Sequence, residues 1–361
     1  MLNVRELKLN PNRRVIIISD IHASLALFTR LLEKVHYTPN DYLFINGDLC
    51  EKGKNSLAVV RYVKKMTEQS DDVFVTKGNC DILYRYVFEE NEAILSYMKK
   101  QKHSILNEML EEKHQSLEDF SNIQQLASFY KQHYKEEIEW LESLPVAFET
   151  ESFIMIHAGI ENRPDWQETD EDCALSVDSF LDKEHQAEKN VIVGHWPAVN
   201  YRFDNECSNN PFIDSKKRIV AIDGGNQIKR DGQLNALIIE NNEYTFQFVD
   251  ELTDERKVKK DYTDLTHRVG TVTWPNYEMR IIQRESAFTL CENSKLGYKQ
   301  WVKNEYLVEN DKGVYCKDDL STTFLSVKED EAVMVLDANQ PDYILVKKSN
   351  GLVGWVPAGI I

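Results

Sequence analysis

The chain has 361 residues, 42% of them hydrophobic, with a formal net charge of −17. That length holds one large domain plus a smaller one with a real core, which excludes global disorder, and the negative charge excludes nucleic-acid or anionic-membrane recognition by bulk electrostatics. Cysteines at 50, 80, 173, 207, 291 and 316 form no CxxC pair, and neither a signal-peptide run nor a membrane-length apolar window is found, so a cytoplasmic protein without zinc ribbon or disulfide framework is expected.

The first part alternates short apolar runs with helical stretches: "RVIIIS", "LALFTRLLEKV", "DYLFIN", "SLAVVRYVKKM", "DVFVT". Such alternation predicts βαβ units with mainly parallel pairing, hence an α/β fold. Over 84–142 the pattern becomes helical, and Phe120, Ile123, Leu126, Tyr130, Tyr134, Ile138 and Leu141 fall at three- and four-residue steps. They read as the core-facing stripe of a packed helical insertion. Strands resume after Pro145 with "FIMI", "NVIV", "RIVAI" and "QLNALIIENNEYTFQFV".

Past Asp250 the charged run "DELTDERKVKKDYTD" reads as a linker. Beyond it, "EMRIIQRESAFTLCENSKLGYKQWV" aligns without gaps to "AVMVLDANQPDYILVKKSNGLVGWV", so that Gly297 matches Gly351 and Trp301 matches Trp355. Two small tandem β-barrels are expected. The expected division is a catalytic domain over 1–252, a charged linker over 253–268, and repeats over 269–308 and 309–361. Trp301 and Trp355 fit a peptide groove and barrel-core packing equally well.

The chemistry lies in the residues at the end of each apolar strand. "VIIIS" leads to Asp20 and His22, "YLFIN" to Asp48, "DVFVT" to Asn79, "SFIMI" to His157 and "NVIV" to His195. Alone, each has a bland reading, since an Asp after a strand is commonly a turn or helix cap and a His a satisfied structural residue. After five successive strands the explanation is shared, because open α/β sheets place their sites at the carboxyl ends of strands. Oxygen and imidazole ligands together suit hard or borderline divalent ions, and two such ions sharing a bridging carboxylate activate water and clamp a phosphoryl group. The pattern therefore predicts a two-metal phosphoester hydrolase holding Mn²⁺, with Fe or Zn as alternatives.

The series "SDIHA", "GDLCEKG", "KGNCD", "IHAGI" and "VGHWP" resembles the motifs of calcineurin-like metallophosphoesterases. "IHAG", "GHWP" and "AIDGG…GQLNALII" are most similar to the branch containing phosphoprotein phosphatases and diadenosine tetraphosphatases. The resemblance implies a sandwich of two β-sheets flanked by helices. It implies one metal on Asp20 and His22, another on Asn79, His157 and His195, Asp48 as bridge, and a metal-bridging hydroxide as nucleophile. The second repeat, "DYILVKKSNGLVGWVPAGII", resembles bacterial SH3-like domains, and the first is a more divergent match.

Three departures mark the chain. Where the family has Asp-Arg-Gly, Glu51-Lys52-Gly53 stands, keeping a cation for phosphate at Lys52 but not a bidentate fork. The first motif ends in Ala23 rather than Gly. Cys80 occupies the position of the family's histidine acid, which Glu51 would orient, and a thiol is a weak proton donor. Arg163 in "IHAGIENRP" is a further candidate for binding phosphate, and Asp81 replaces a structural glutamate.

The first expectation is a Ser/Thr phosphatase-like phosphomonoesterase acting on phosphorylated protein, with the tail docking a peptide or protein partner. The enzyme alternative is a hydrolase of dinucleoside polyphosphates or phosphodiesters. An alternative of another class is a non-catalytic phosphate-binding scaffold that docks partners through its SH3-like tail.

Overall fold

In the computed structural model, which describes residues 1–339 and 341–361, the isoleucines of the first apolar run divide by parity. Ile17 faces one core with Phe44, Phe148, Phe153 and Met155, whereas Ile16 and Ile18 face another formed with helices. A strand buried on both faces has this period of two. It builds a sandwich of two sheets with helices outside.

One sheet has five strands in the order β11-β10-β2-β3-β4, from β2 (Val15–Ile18), β3 (Tyr42–Asn46), β4 (Val73–Thr76), β10 (Gln233–Glu240) and β11 (Glu243–Asp250). The other has six, β1-β5-β6-β7-β9-β8, from β1 (Val4–Glu6), β5 (Ala147–Glu149), β6 (Phe153–Ile156), β7 (Asn190–Val193), β8 (Phe212–Asp214) and β9 (Ile219–Ala221). Within them β2-β3-β4 and β6-β7-β9 are parallel runs, so their carboxyl ends point the same way within each run.

Helices α1 (Leu25–Lys34) and α2 (Ser56–Gln69) connect β2 to β3 and β3 to β4. The helical stretch forms α3 (Leu83–Phe88), α4 (Ala93–Lys100), α5 (Ile105–Glu112), α6 (Ile123–His133) and α7 (Lys135–Ser143), and α8 (Glu171–Ser176) comes after β6. The expected stripe is buried from Ile123 to Leu141, with Phe120 half-buried at its edge. Tyr130 and Tyr134 also anchor it to α5, donating to the Leu106 and Met109 carbonyls at 3.0 and 2.5 Å.

The chain divides into two compact units, Met1–Trp196 with Pro211–Asp250, and Pro197–Asn210 with Glu251–Ile361. The second unit contains β12 (Glu255–Lys257), β13 (Thr271–Val272), β14 (Glu278–Arg284), β15 (Phe288–Asn293), β16 (Lys299–Lys303), β17 (Leu307–Asn310), β18 (Gly313–Cys316), β19 (Leu320–Ser321), β20 (Ala332–Asp337), β21 (Tyr343–Lys348) and β22 (Val353–Pro357). The repeat is visible in the backbone. Strands β14-β15-β16 and β20-β21-β22 form matching antiparallel meanders, with register shifts at Ile281/Gln283 and at Val335/Asp337, and Gly297 and Gly351 both at positive φ. Gln340, inside the second copy, lies outside the described residues.

Two sequence readings change here. The charged run is not a bare linker, because Glu255–Lys257 pairs antiparallel with β20. All three of these residues are exposed, and a charged edge strand is hard to tell from a solvated linker by composition. Trp355 does not line a groove: it is 1% exposed, its Nε1 donates to the Ser321 carbonyl at 2.7 Å, and it packs against Phe288 in a core drawing on both copies. Trp301 is half-buried beneath the Arg268 guanidinium, 4.0 Å from the ring centre. Among the described residues, no helix is long and apolar enough to cross a membrane.

Candidate metal centre

The turns after β2, β3, β4, β6 and β7 bring the sequence-predicted ligands together. His22 Nε2 lies 3.9 Å from Asp20 Oδ1 and 3.8 Å from Asp48 Oδ2. His157 Nε2 lies 3.3 Å from Asp48 Oδ1 and 3.1 Å from Asn79 Oδ1, and His195 Nδ1 is 2.9 Å from the same Asn79 oxygen. Asp48 therefore stands between two clusters, the position a bridging carboxylate requires.

Backbone geometry makes this approach possible. Gly78 and Gly194 sit where a Cβ would come within 2.2 Å of Asp48 Oδ1 and of Asp20 Oδ2, respectively. Asp20, His22, Asp48 and His195 all adopt left-handed φ, at 56°, 46°, 49° and 63°. Non-glycine residues in that region cost energy and gather at functional sites. Ala23, at φ 58°, shows why a glycine would be easier at the end of the first motif.

The donor atoms fit a pair of divalent cations. His157 Nδ1 lies 2.9 Å from the Asn46 carbonyl and His22 Nδ1 lies 3.1 Å from that of Cys50, so each neutral ring carries its proton there. Each Nε2 then turns a lone pair toward carboxylate or amide oxygens that are themselves acceptors. His22 Nε2 is buried without a hydrogen-bond partner among the described residues. Burial lowers the pKa of His195 to about 4, which keeps the ring neutral and available as a ligand. Lone pairs converging from several residues with no proton between them call for a cation.

Asp81 ties the loops together. Its Oδ1 accepts from the Leu49 and Cys50 amides at 2.8 and 3.2 Å, and its Oδ2 from Gly78 at 2.9 Å. Burial, with the Asp48 charge behind it, pushes its pKa up to about 7.

Cys80 is buried beside the bridge. Its amide donates to Asp48 Oδ1 at 2.9 Å, and its sulfur lies within 4.8 Å of the ligand atoms of His22 and Asp48. Burial, reinforced by the Asp48 charge, pushes the thiol well above its usual pKa. Lys52 is exposed at the rim, and its charge bears on His22 and Cys80.

Two predicted site residues are placed elsewhere. The Glu51 carboxylate is turned into the helical insertion, where Tyr97 donates to it at 2.6 Å and the Ile105 amide at 2.7 Å. Consecutive left-handed residues, Glu51 at φ 72° and Lys52 at 66°, put the first inward and the second outward. Arg163 spends its guanidinium on Asp165 at 2.9 Å and the Glu168 carbonyl at 2.9 Å, because Glu161 and Asp165 flank it two positions away on either side. Sequence reading passed over Asp223, which comes shortly after β9 and is fully buried. The strand-end rule that gave the candidate ligands also points to it, in "RIVAID".

Fold and site together define a metal-dependent phosphoester hydrolase. Residues 13–220 match the family model described as calcineurin-like phosphoesterase, and the chain belongs to that family, which uses divalent metals in a binuclear site. It is similar to the symmetrical bis(5'-nucleosyl)-tetraphosphatase of Glaesserella parasuis, 29% identical over 48% of this chain and 54% of that protein. It is also similar to the Vibrio parahaemolyticus protein of the same name, 29% identical over 46% of this chain and 52% of that one. The chain thus spans about half the length of these curated relatives. A protein serine/threonine phosphatase from Saccharomyces cerevisiae aligns in structure over 70% of this chain and 85% of its own, at 13% identity and a TM-score of 0.40.

Proposed function

We propose that this enzyme cleaves phosphoanhydride bonds of dinucleoside polyphosphates in preference to the alkyl phosphates of phosphoserine or phosphothreonine that the motif series put first. The observation carrying this reading is Cys80, a buried thiol at the place of the family's acid, with its proton held more tightly than usual.

An alkoxide leaving group needs a proton as the bond to phosphorus breaks, and a positioned acid contributes about 10²–10⁴-fold. A nucleoside phosphate leaving group, whose last ionisation lies at about pH 6, departs without one. The activity named for the tetraphosphatase relatives supports the same choice.

In this reading Asp20, His22, Asp48, Asn79, His157 and His195 hold the two cations, Mn²⁺ being the expected species. When bound, the cations supply an activated water and take up phosphoryl charge. Asn46 and Cys50 keep the two imidazoles in the right tautomer, and Lys52 adds a cation at the rim for the flanking phosphates. The tail reads as a pair of SH3-like modules docking a peptide or protein partner, and a cytoplasmic location accompanies that reading.

The test compares kcat/KM, with Mn²⁺, on a dinucleoside tetraphosphate and on a phosphoserine peptide. A preference of about 10² or more for the anhydride is expected. Equal values, or a preference for the peptide, would overturn the assignment.

A further inference from the structure

We propose that Asp223 is a further member of the metal centre, adding a third carboxylate on its Asp20 side that takes part in holding a divalent cation. The proposal rests on the two-cation reading of the centre.

The register carries it. Strands β7 and β9 are parallel with Val193 beside Ala221, and the Ile222 amide continues the ladder to the Val193 carbonyl at 2.9 Å. Two residues further along each chain stand His195 and Asp223. His195 and Asp223 therefore follow these adjacent parallel strands at the same end of the sheet. The His195 amide in turn bonds both Asp20 oxygens at 3.2 Å, which ties the His195 turn to Asp20.

Asp223 is fully buried. Its Oδ1 accepts from the Gly225 amide at 2.7 Å, while Oδ2 has no hydrogen-bond partner among the described residues. A buried carboxylate oxygen left unpaired is costly, and a cation removes that cost. The Asp223 charge bears on Asp20, and the charges of Asp48 and Lys229 bear on Asp223. A purely structural aspartate in this turn would need only the Gly225 bond.

The experiment uses the full chain and the variant Asp223→Asn, which retains Oδ1 for Gly225. Mn²⁺ is titrated by calorimetry, and melting is followed with and without the ion above neutral pH. The wild type is expected to bind two Mn²⁺, and the variant to bind one of them at least about tenfold more weakly. Without metal the variant should melt higher than wild type, because a like charge has been removed from beside Asp20 and Asp48. Its Mn²⁺-induced rise in melting temperature should be smaller.

Unchanged affinity for both ions, or a metal-free variant that melts lower with unchanged Mn²⁺ binding, would overturn the proposal and leave the two-cation reading standing. A wild type that binds no Mn²⁺ would overturn both. Asp223→Ser, which also keeps an acceptor near Gly225, carries the same expectations if the asparagine variant does not fold.

Discussion

At position 80 the proposed preference for anhydrides over alkyl phosphates rests on a single side chain. The neighbours of Cys80, Asp48 through its amide bond and Asn79 through its side-chain amide 3.6 Å from the sulfur, are those a proton donor at this place would meet. Cys80→His is therefore expected to raise kcat on a phosphoserine peptide by about 10²-fold or more while changing turnover of a dinucleoside tetraphosphate far less. Steady-state kinetics on the two substrates measure this. An equal effect on both would mean that the missing acid does not set the preference.

Among the elements, the helical insertion is fastened to the catalytic loops by two glutamates. Glu51 reaches from the turn after β3 to α4 and α5, and the Glu108 carboxylate on α5 accepts from the Ser56 and Leu57 amides, at 2.9 Å each, at the start of α2. An acceptor on two free amides of a first turn acts as a cap supplied from outside the helix.

Burial raises the Glu51 pKa from 4.5 to about 7. The folded protein holds that proton where the unfolded chain has lost it, so this contribution to stability is full below about pH 4.5, falls as pH rises, and levels off above about 7. The range corresponds to roughly 3 kcal/mol. Glu51→Gln should remove this slope from melting curves taken across the interval, and a variant with the wild-type slope would show that Glu51 is not its source.

At the scale of the molecule, the chain leaves the first unit directly after His195 and Trp196 and returns at Pro211. In between, Val199 and Cys207 are buried in the core of the second unit, and the Val353 amide donates to the Cys207 carbonyl at 2.9 Å. A chain ending at Asp250 keeps Pro197–Asn210 but loses the core in which Val199 and Cys207 are buried. Limited proteolysis should then cut within 197–210. A truncated chain as resistant as the full one would show that the segment refolds on the first unit.

By itself, the sequence determined the strand-helix alternation, the candidate ligands at five strand ends and the repeat in the tail. These are local periodicities and turn chemistries that survive without knowledge of neighbours. Tertiary structure decided what depends on direction. It turned Glu51 into the insertion and Lys52 outward, closed Arg163 onto its own acidic neighbours, buried Trp355 and made an edge strand of a charged run. It also set β9 beside β7 with Ala221 level with Val193, a register that no spacing along the chain records. The physical reason is that most of these outcomes depend on neighbours distant in the sequence, as does the left-handed backbone at Asp20, His22, Asp48 and His195, whose cost the surrounding structure must offset.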